Sequence, residues 1–150
     1  MAKKSKAPGN ISNRRARYDY ELGDSLVVGL ELTGAEAKNL RMGHGQLRGA
    51  YVTEKDSELW LINAQITSSR GIPLDEQTQT RSRKILAKRK EIDELIAARQ
   101  AGNTIVPTEL MTGGRYIKLR VAVGRGKKRY DKRETIKRRQ QERESRRLAR

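Results

Sequence analysis

Leu26, Val28, Leu30 and Leu32 alternate with Val27, Gly29 and Glu31, which predicts a strand with one buried face. Thr33-Gly34-Ala35-Glu36 follows with the pattern of a capping box, in which Thr33 accepts from the Glu36 amide and Glu36 reaches back to the Thr33 amide. It predicts a short helix to about Met42, stopped by Gly43. Residues 46–53 and 59–66 read as two further strands, joined by the polar tetrapeptide Glu54-Lys55-Asp56-Ser57. Leu59 and Leu61 share one face of the second of these and Trp60 and Ile62 the other, the pattern of a barrel wall covered by a helix. Residues 67–80 have no period and read as an exposed loop. After the basic run Arg81-Ser82-Arg83-Lys84, the residues Ile85, Ile92, Leu95 and Ile96 recur at helical spacing up to Gly102-Asn103, predicting the longest helix of the core. Residues 104–111 and 115–123 predict a hairpin about Thr112-Gly113-Gly114, with Ile117, Leu119, Val121 and Val123 inward and Tyr116, Lys118 and Arg120 outward. Five or six short strands with two inserted helices give a mainly β fold, a small antiparallel barrel of the oligonucleotide-binding (OB) kind, closed or partly closed. A split sheet packed on two helices is the alternative.

Charge adds what periodicity does not. The chain has 150 residues, room for one core, and its 34 Lys and Arg against 18 Asp and Glu give a net charge of +16. Residues 1–17 hold six basic residues and no acidic one, and residues 125–150 hold thirteen basic and four acidic. Residues 18–124 hold fifteen basic and fourteen acidic, so the apolar core is close to neutral and the ends are polycationic. Such arms track phosphate backbones, because each neutralised phosphate releases counterions whatever the base sequence. A tail that serves only solubility or targeting is the plainer account. Beyond Ile136 and Leu148, residues 131–150 offer almost nothing to bury, yet Asp131-Lys132-Arg133-Glu134 is a possible helix start. Glu134 with Arg138 and Glu142 with Arg146 are acid-before-base pairs four residues apart. The tail is therefore expected to be disordered when free and helical when neighbouring phosphates neutralise it, reaching about 27 Å over roughly 18 residues. This divides the chain into a flexible basic arm (1–12), an RNA-binding barrel (13–124) and a basic tail (125–150).

Candidate chemistry is sparse. With no cysteine, disulfides, thiolate metal sites and cysteine nucleophiles are excluded, and His44 between two glycines is the only histidine, so neither a metal nor a cofactor is expected. The pairs Asp75-Glu76 and Asp93-Glu94 read as solvated, the second with Arg89 and Lys90 four residues earlier to pair with. Gly124-Arg125-Gly126-Lys127-Lys128 lacks the spacing of a nucleotide-binding loop and reads as a glycine-hinged run of cations for RNA backbone. Six aromatic residues and no Phe argue against a base-stacking sheet, so recognition should go by backbone and shape. No run approaches 18 apolar residues and no apolar stretch follows the first lysines, so neither a membrane span nor export by a signal peptide is expected; the location is taken as cytoplasmic.

Four blocks together resemble one family, the SsrA-binding (SmpB) proteins, partners of transfer-messenger RNA (tmRNA, or SsrA RNA) in bacteria. They are Asn13-Arg14-Arg15-Ala16-Arg17-Tyr18-Asp19-Tyr20, Leu32-Thr33-Gly34-Ala35-Glu36-Ala37-Lys38-Asn39-Leu40-Arg41-Met42-Gly43, Thr80-Arg81-Ser82-Arg83-Lys84, and Gly126-Lys127-Lys128-Arg129-Tyr130-Asp131-Lys132-Arg133-Glu134-Thr135-Ile136-Lys137. The resemblance implies a non-catalytic OB-type barrel that clasps the tRNA-like domain of tmRNA and brings it, in a complex with EF-Tu, to stalled ribosomes. It also implies that the tail fills the empty mRNA channel at the small-subunit decoding centre. RNA contacts are then expected from Asn13, Arg14, Arg15, Arg17, Glu36, Lys38, Arg41, Arg81, Arg83, Lys84, Leu86, Lys118, Arg120, Arg125, Lys127 and Lys128. Decoding-centre contacts are expected from Tyr130, Asp131, Lys132, Arg133, Ile136 and Lys137. Val27 stands where some members place a glutamate, Arg48-Gly49 and Thr78-Gln79 replace other family pairs, and Tyr130 replaces a histidine. For Glu36, the structural role in the cap is put before an RNA-facing one.

A structural ribosomal protein would show the same basic ends on a small barrel. An RNA-modifying or RNA-cleaving enzyme is the third class, and the shortage of His, Cys and clustered carboxylates argues against it.

Overall fold

The computed structural model describes residues 10–126 and 129–148, with the backbone alone over 129–135 and 147–148. One seven-stranded antiparallel sheet, curled on itself, forms the body. Its strands are β1 (Ile11–Ser12), β2 (Tyr20–Leu30), β4 (Tyr51–Lys55), β5 (Glu58–Ile62), β7 (Arg83–Leu86), β8 (Thr104–Met111) and β9 (Lys118–Gly126). Two short strands, β3 (Gly45–Gln46) and β6 (Gln65–Ile66), pair separately. The order across the sheet is β1-β8-β9-β2-β7-β5-β4, so the edges are β1 and β4. No ladder joins β4 to β8 among the described residues, and the OB-like barrel is left open at that seam.

The predicted strand at residues 26–32 is eleven residues long and begins at Tyr20. Its first half was hidden because Gly23-Asp24-Ser25 breaks the alternation, and the register shifts there between Leu22 and Ser25. Helix α2 (Gly34–Arg41) follows with the capping box formed: the Glu36 amide donates to Thr33 Oγ1 at 3.2 Å and the Thr33 amide to Glu36 Oε1 at 2.9 Å. Each of the two strands expected over 46–53 and 59–66 is split, by Gly49 (φ 78°) and by Asn63 (φ 63°). Their hairpin closes on Asp56 and Ser57, both at left-handed φ as a type I′ turn requires. Leu59 and Leu61 are fully buried while Trp60 and Ile62 are half-buried, so the two faces of β5 are unequal.

Two expectations are corrected. Ile85 does not belong to the long helix: it lies on β7, and α4 runs over Arg89–Gln100, burying Ile92 and Leu95. The seven-residue gap from Ile85 to Ile92 matches a helical period, but Arg83 and Ile85 are both buried while Lys84 is half-buried and Leu86 exposed, the alternation of a strand. The unpatterned stretch 67–80 is not wholly irregular, since α3 (Glu76–Gln79) and a bridge between Ser69 and Ile72 lie within it.

At the other end, Asn10–Ser12, part of the arm by composition, is built into the sheet: Ile11 stands opposite Leu110, and Asn10 Nδ2 donates to Glu109 Oε1. A four-residue helix, α1 (Ala16–Asp19), then leads into β2. The basic tail forms α5 (Arg129–Leu148), about 30 Å long at 1.5 Å per residue.

Candidate nucleic-acid interface

The expected site residues fall into three places. The first is the turn between β1 and β2. Pro107 interrupts β8, and the register shift between Pro107 and Glu109 leaves two carbonyls for Asn13. The Asn13 amide donates to Thr108 O and its Nδ2 to Pro107 O, both at 2.8 Å, while its own carbonyl accepts from Ala16. Asn13 therefore fastens α1 to the sheet. That holds Arg14, Arg15 and Arg17 outward and exposed, with Arg15 over the Tyr18 ring at 4.7 Å and 3.5 Å from Asp19. Arg125, opposite Glu21 on β2, is exposed at the same end of β9.

The second place is an outward sheet face. Register puts Lys118 opposite Gly29 and Gly29 opposite Leu86; Arg120 stands opposite Val27, and Lys84 opposite Trp60. Residues directly opposite in an antiparallel pair share a face. Lys84, Lys118 and Arg120 are thus grouped with two exposed apolar side chains, Val27 and Leu86. Gly29 lets the strands approach closely there, since a Cβ would lie a tight 3.3 Å from both Leu86 Cβ and the Leu86 carbonyl and would need a small shift to fit.

The third place, around α2, is built differently from what a basic run suggests. Glu36 and Arg83 are both 0% exposed. Arg83 Nε donates to Glu36 Oε2 at 2.8 Å, Nη1 to the carbonyls of Ala64 and Arg81, and Nη2 to those of Thr78 and Gln79. All five donors of the guanidinium are used within the protein. Arg81, partly exposed, binds both oxygens of Glu36 and the Glu31 carbonyl. Burial pushes the Glu36 carboxyl up; hydrogen bonds from Arg81, the Thr33 amide and Arg83, with the Arg83 charge, more than reverse this and hold it below the usual glutamate range. Burial likewise lowers Arg83, and Glu36 opposes that shift. Glu36 and Arg83 are turned inward in this chain, where they tie α2, α3 and β7 together. Arg41 is also occupied, donating to the carbonyls of Thr112, Gly114 and Arg115 and so pinning the β8–β9 loop. Lys38 is exposed.

Lys127 and Lys128 lie outside the described residues. Tyr130, Asp131, Lys132 and Arg133 fall in the first turns of α5, with their side chains outside the described residues; Ile136 and Lys137 are exposed on it. The structure also brings in residues that the sequence pattern did not single out. Arg139 of α5 lines a cleft with Arg14, Arg17 and Arg120, and Arg48 lines another with Arg14 and Arg15. The period along α5 alone carries no sign that Arg139 lies against α1. The Asp93-Glu94 pair is a surface feature, with Asp93 held by Arg89 at 2.7 Å. Among the described residues, no group of three or more His, Asp or Glu is placed to hold a metal, and no helix is long and apolar enough to cross a membrane.

A small open barrel carrying exposed cations beside shallow clefts defines a polyanion-binding module. Comparison with known proteins narrows the class. The family model described as SmpB protein matches residues 10–150, and the chain belongs to the SmpB family. It is 41% identical over 135 residues to the SsrA-binding protein of Trichormus variabilis, covering 88% of this chain and 86% of the relative. It is 41% identical over 146 residues to that of Nitratidesulfovibrio vulgaris and 38% over 146 residues to that of Streptococcus thermophilus, with 95% of both chains covered in each case. Among solved structures, a chain of a tmRNA-SmpB assembly, described as a journey to the center of the bacterial ribosome, superposes with a TM-score of 0.67 and 32% identity. That match covers 86% of this chain and 95% of the other. The relatives are, by name, proteins that bind SsrA RNA.

Proposed function

We propose that this chain binds tmRNA and takes part in trans-translation, the rescue of stalled ribosomes. The observation that carries the reading is that the family match runs unbroken from the barrel through the basic helix to residue 150. Both parts therefore belong to one function. The names of the relatives and of the solved assembly supply its two partners, tmRNA and the ribosome, and a ribosome-bound role puts the chain in the cytoplasm.

In finer detail, the barrel holds the tRNA-like domain of tmRNA through Asn13, Arg14, Arg15 and Arg17 and through the face of Lys84, Leu86, Lys118 and Arg120. Lys38, Arg125, Lys127 and Lys128 add phosphate contacts. Glu36, Arg41, Arg81 and Arg83 act through the framework they build, with Arg81 the one most open to RNA. EF-Tu accompanies the complex to the ribosome. The tail helix then lies in the empty mRNA channel, where Tyr130, Asp131, Lys132, Arg133, Ile136 and Lys137 meet the decoding centre in place of a codon.

Sequencing the RNA that co-purifies with the tagged protein tests this. Enrichment of tmRNA over ribosomal RNA is expected. Ribosomal RNA recovered one to one with all ribosomes, and no tmRNA, would assign the chain to the structural ribosomal proteins instead.

A further inference from the structure

Two clefts meet beside β9. One, of about 490 Å³, is lined by Arg14 and Arg17 from the α1 turn, Glu109 and Arg120 from the sheet, and Arg139 from α5. Its neighbour, of about 500 Å³, shares Arg17 and Arg120. Among the described residues, four arginines and one carboxylate therefore border the first cleft, and that carboxylate is already engaged. Glu109 Oε1 accepts from Asn10 at 2.8 Å, and its Oε2 stands 3.8 Å from Arg120 Nε, beyond hydrogen-bond reach. Arg120 Nε is buried and has no acceptor among the described residues. Arg120 is ion-paired with Glu109, its neighbour across the β8–β9 ladder, yet its buried Nε–H lacks a hydrogen-bond acceptor, and an oxyanion entering the cleft would supply one. The residue opposite Arg120 on β2 is Val27, which offers no charge. The approach of α5 to the core is opposed by this excess of positive charge, and an anion between them reverses the sign.

Resting on the RNA binding proposed above, we infer that this cleft clamps one phosphate of the bound RNA between the core and the tail helix. Arg17 and Arg120 hold it from the core and Arg139 from α5. RNA occupancy thereby fixes the direction in which the tail leaves the barrel. The phosphate serves as the joint, so that the tail is aimed before it reaches the ribosome.

The chain has no cysteine, so nitroxide labels on Lys90→Cys and Gln141→Cys report the distance from α4 to α5 without background labelling. A transcript of the tmRNA tRNA-like domain should narrow the distance distribution. Arg139→Glu should abolish the narrowing while RNA affinity falls no more than about tenfold, and Arg139→Ala should reduce the salt slope of binding by about 0.7–0.9, one phosphate contact. RNA bound at full affinity with an unchanged distribution, or narrowing that survives Arg139→Glu, would overturn the clamp. Narrowing by millimolar inorganic phosphate alone would overturn RNA as its source. A wild-type chain that does not bind the transcript would overturn the function proposed above, and the clamp with it.

Discussion

Replacing Glu36 by alanine removes the one anion that faces two guanidiniums and caps α2. Loss of the cap costs about 0.5–2 kcal/mol. Removing one partner of a buried ion pair costs about 3–5 kcal/mol, because the other charge is left in the interior. Arg83 keeps four carbonyl acceptors, which softens the second cost. The Arg81 side chain is 34% exposed, so water replaces much of what it loses. A total of about 3–4 kcal/mol is expected, a large share of the roughly 5–15 kcal/mol that holds a typical domain together. Urea denaturation reads it as a lowered midpoint at constant slope. Glu36→Leu combined with Arg83→Met, which replaces the pair by apolar groups, should lose less than the sum of the two single changes by at least about 1 kcal/mol. A loss below about 1 kcal/mol for Glu36→Ala, or strict additivity in the double variant, would refute the view that the buried pair organises α2, α3 and β7.

Because Glu36 titrates below the ordinary glutamate value of 4.5, its stabilisation is complete above that pH and is lost as pH falls through the lower folded value. Acid unfolding followed by circular dichroism should show this part of the loss below pH 4.5, and Glu36→Gln should remove it. Asn13→Ala leaves the Pro107 carbonyl without its donor, and thermal melts should register about 1–3 kcal/mol. Arg41→Ala frees three loop carbonyls, and hydrogen exchange should speed up over residues 112–116 while α4 is unaffected. Ile136→Pro costs the tail helix about 3 kcal/mol, so ellipticity at 222 nm should fall with the melting of the barrel unchanged.

The legible parts of this chain are those in which a local rule and the final environment agree. Thr33 and Glu36 form the expected cap, Leu119 and Val121 point inward from β9, and the Asp56-Ser57 turn closes the expected hairpin. The alternation of Arg81 and Arg83 with Ser82 and Lys84 carries strand information, but cations read as exposed until a buried carboxylate is known to face them. Glu36 is 45 and 47 positions away from its partners, a separation that no window-based pattern spans. The early half of β2 stayed hidden for the opposite reason: its bulge breaks the period locally, and pairing with β9 restores it. Of the candidate interface, the α1 arginines and the β9 cations were readable as exposed charge. Their convergence with Arg139 depends on tertiary placement.

Truncating the chain after Gly126, where β9 ends, separates the tmRNA binding proposed for the barrel from the action on the ribosome proposed for the tail helix. Affinity for tmRNA and peptide tagging of stalled nascent chains would be measured side by side for the truncated and full-length proteins. Most of the affinity should remain and tagging should disappear. Tagging that survives the truncation would take the ribosomal role away from the tail helix, and affinity lost in step with tagging would make the tail another phosphate-binding arm.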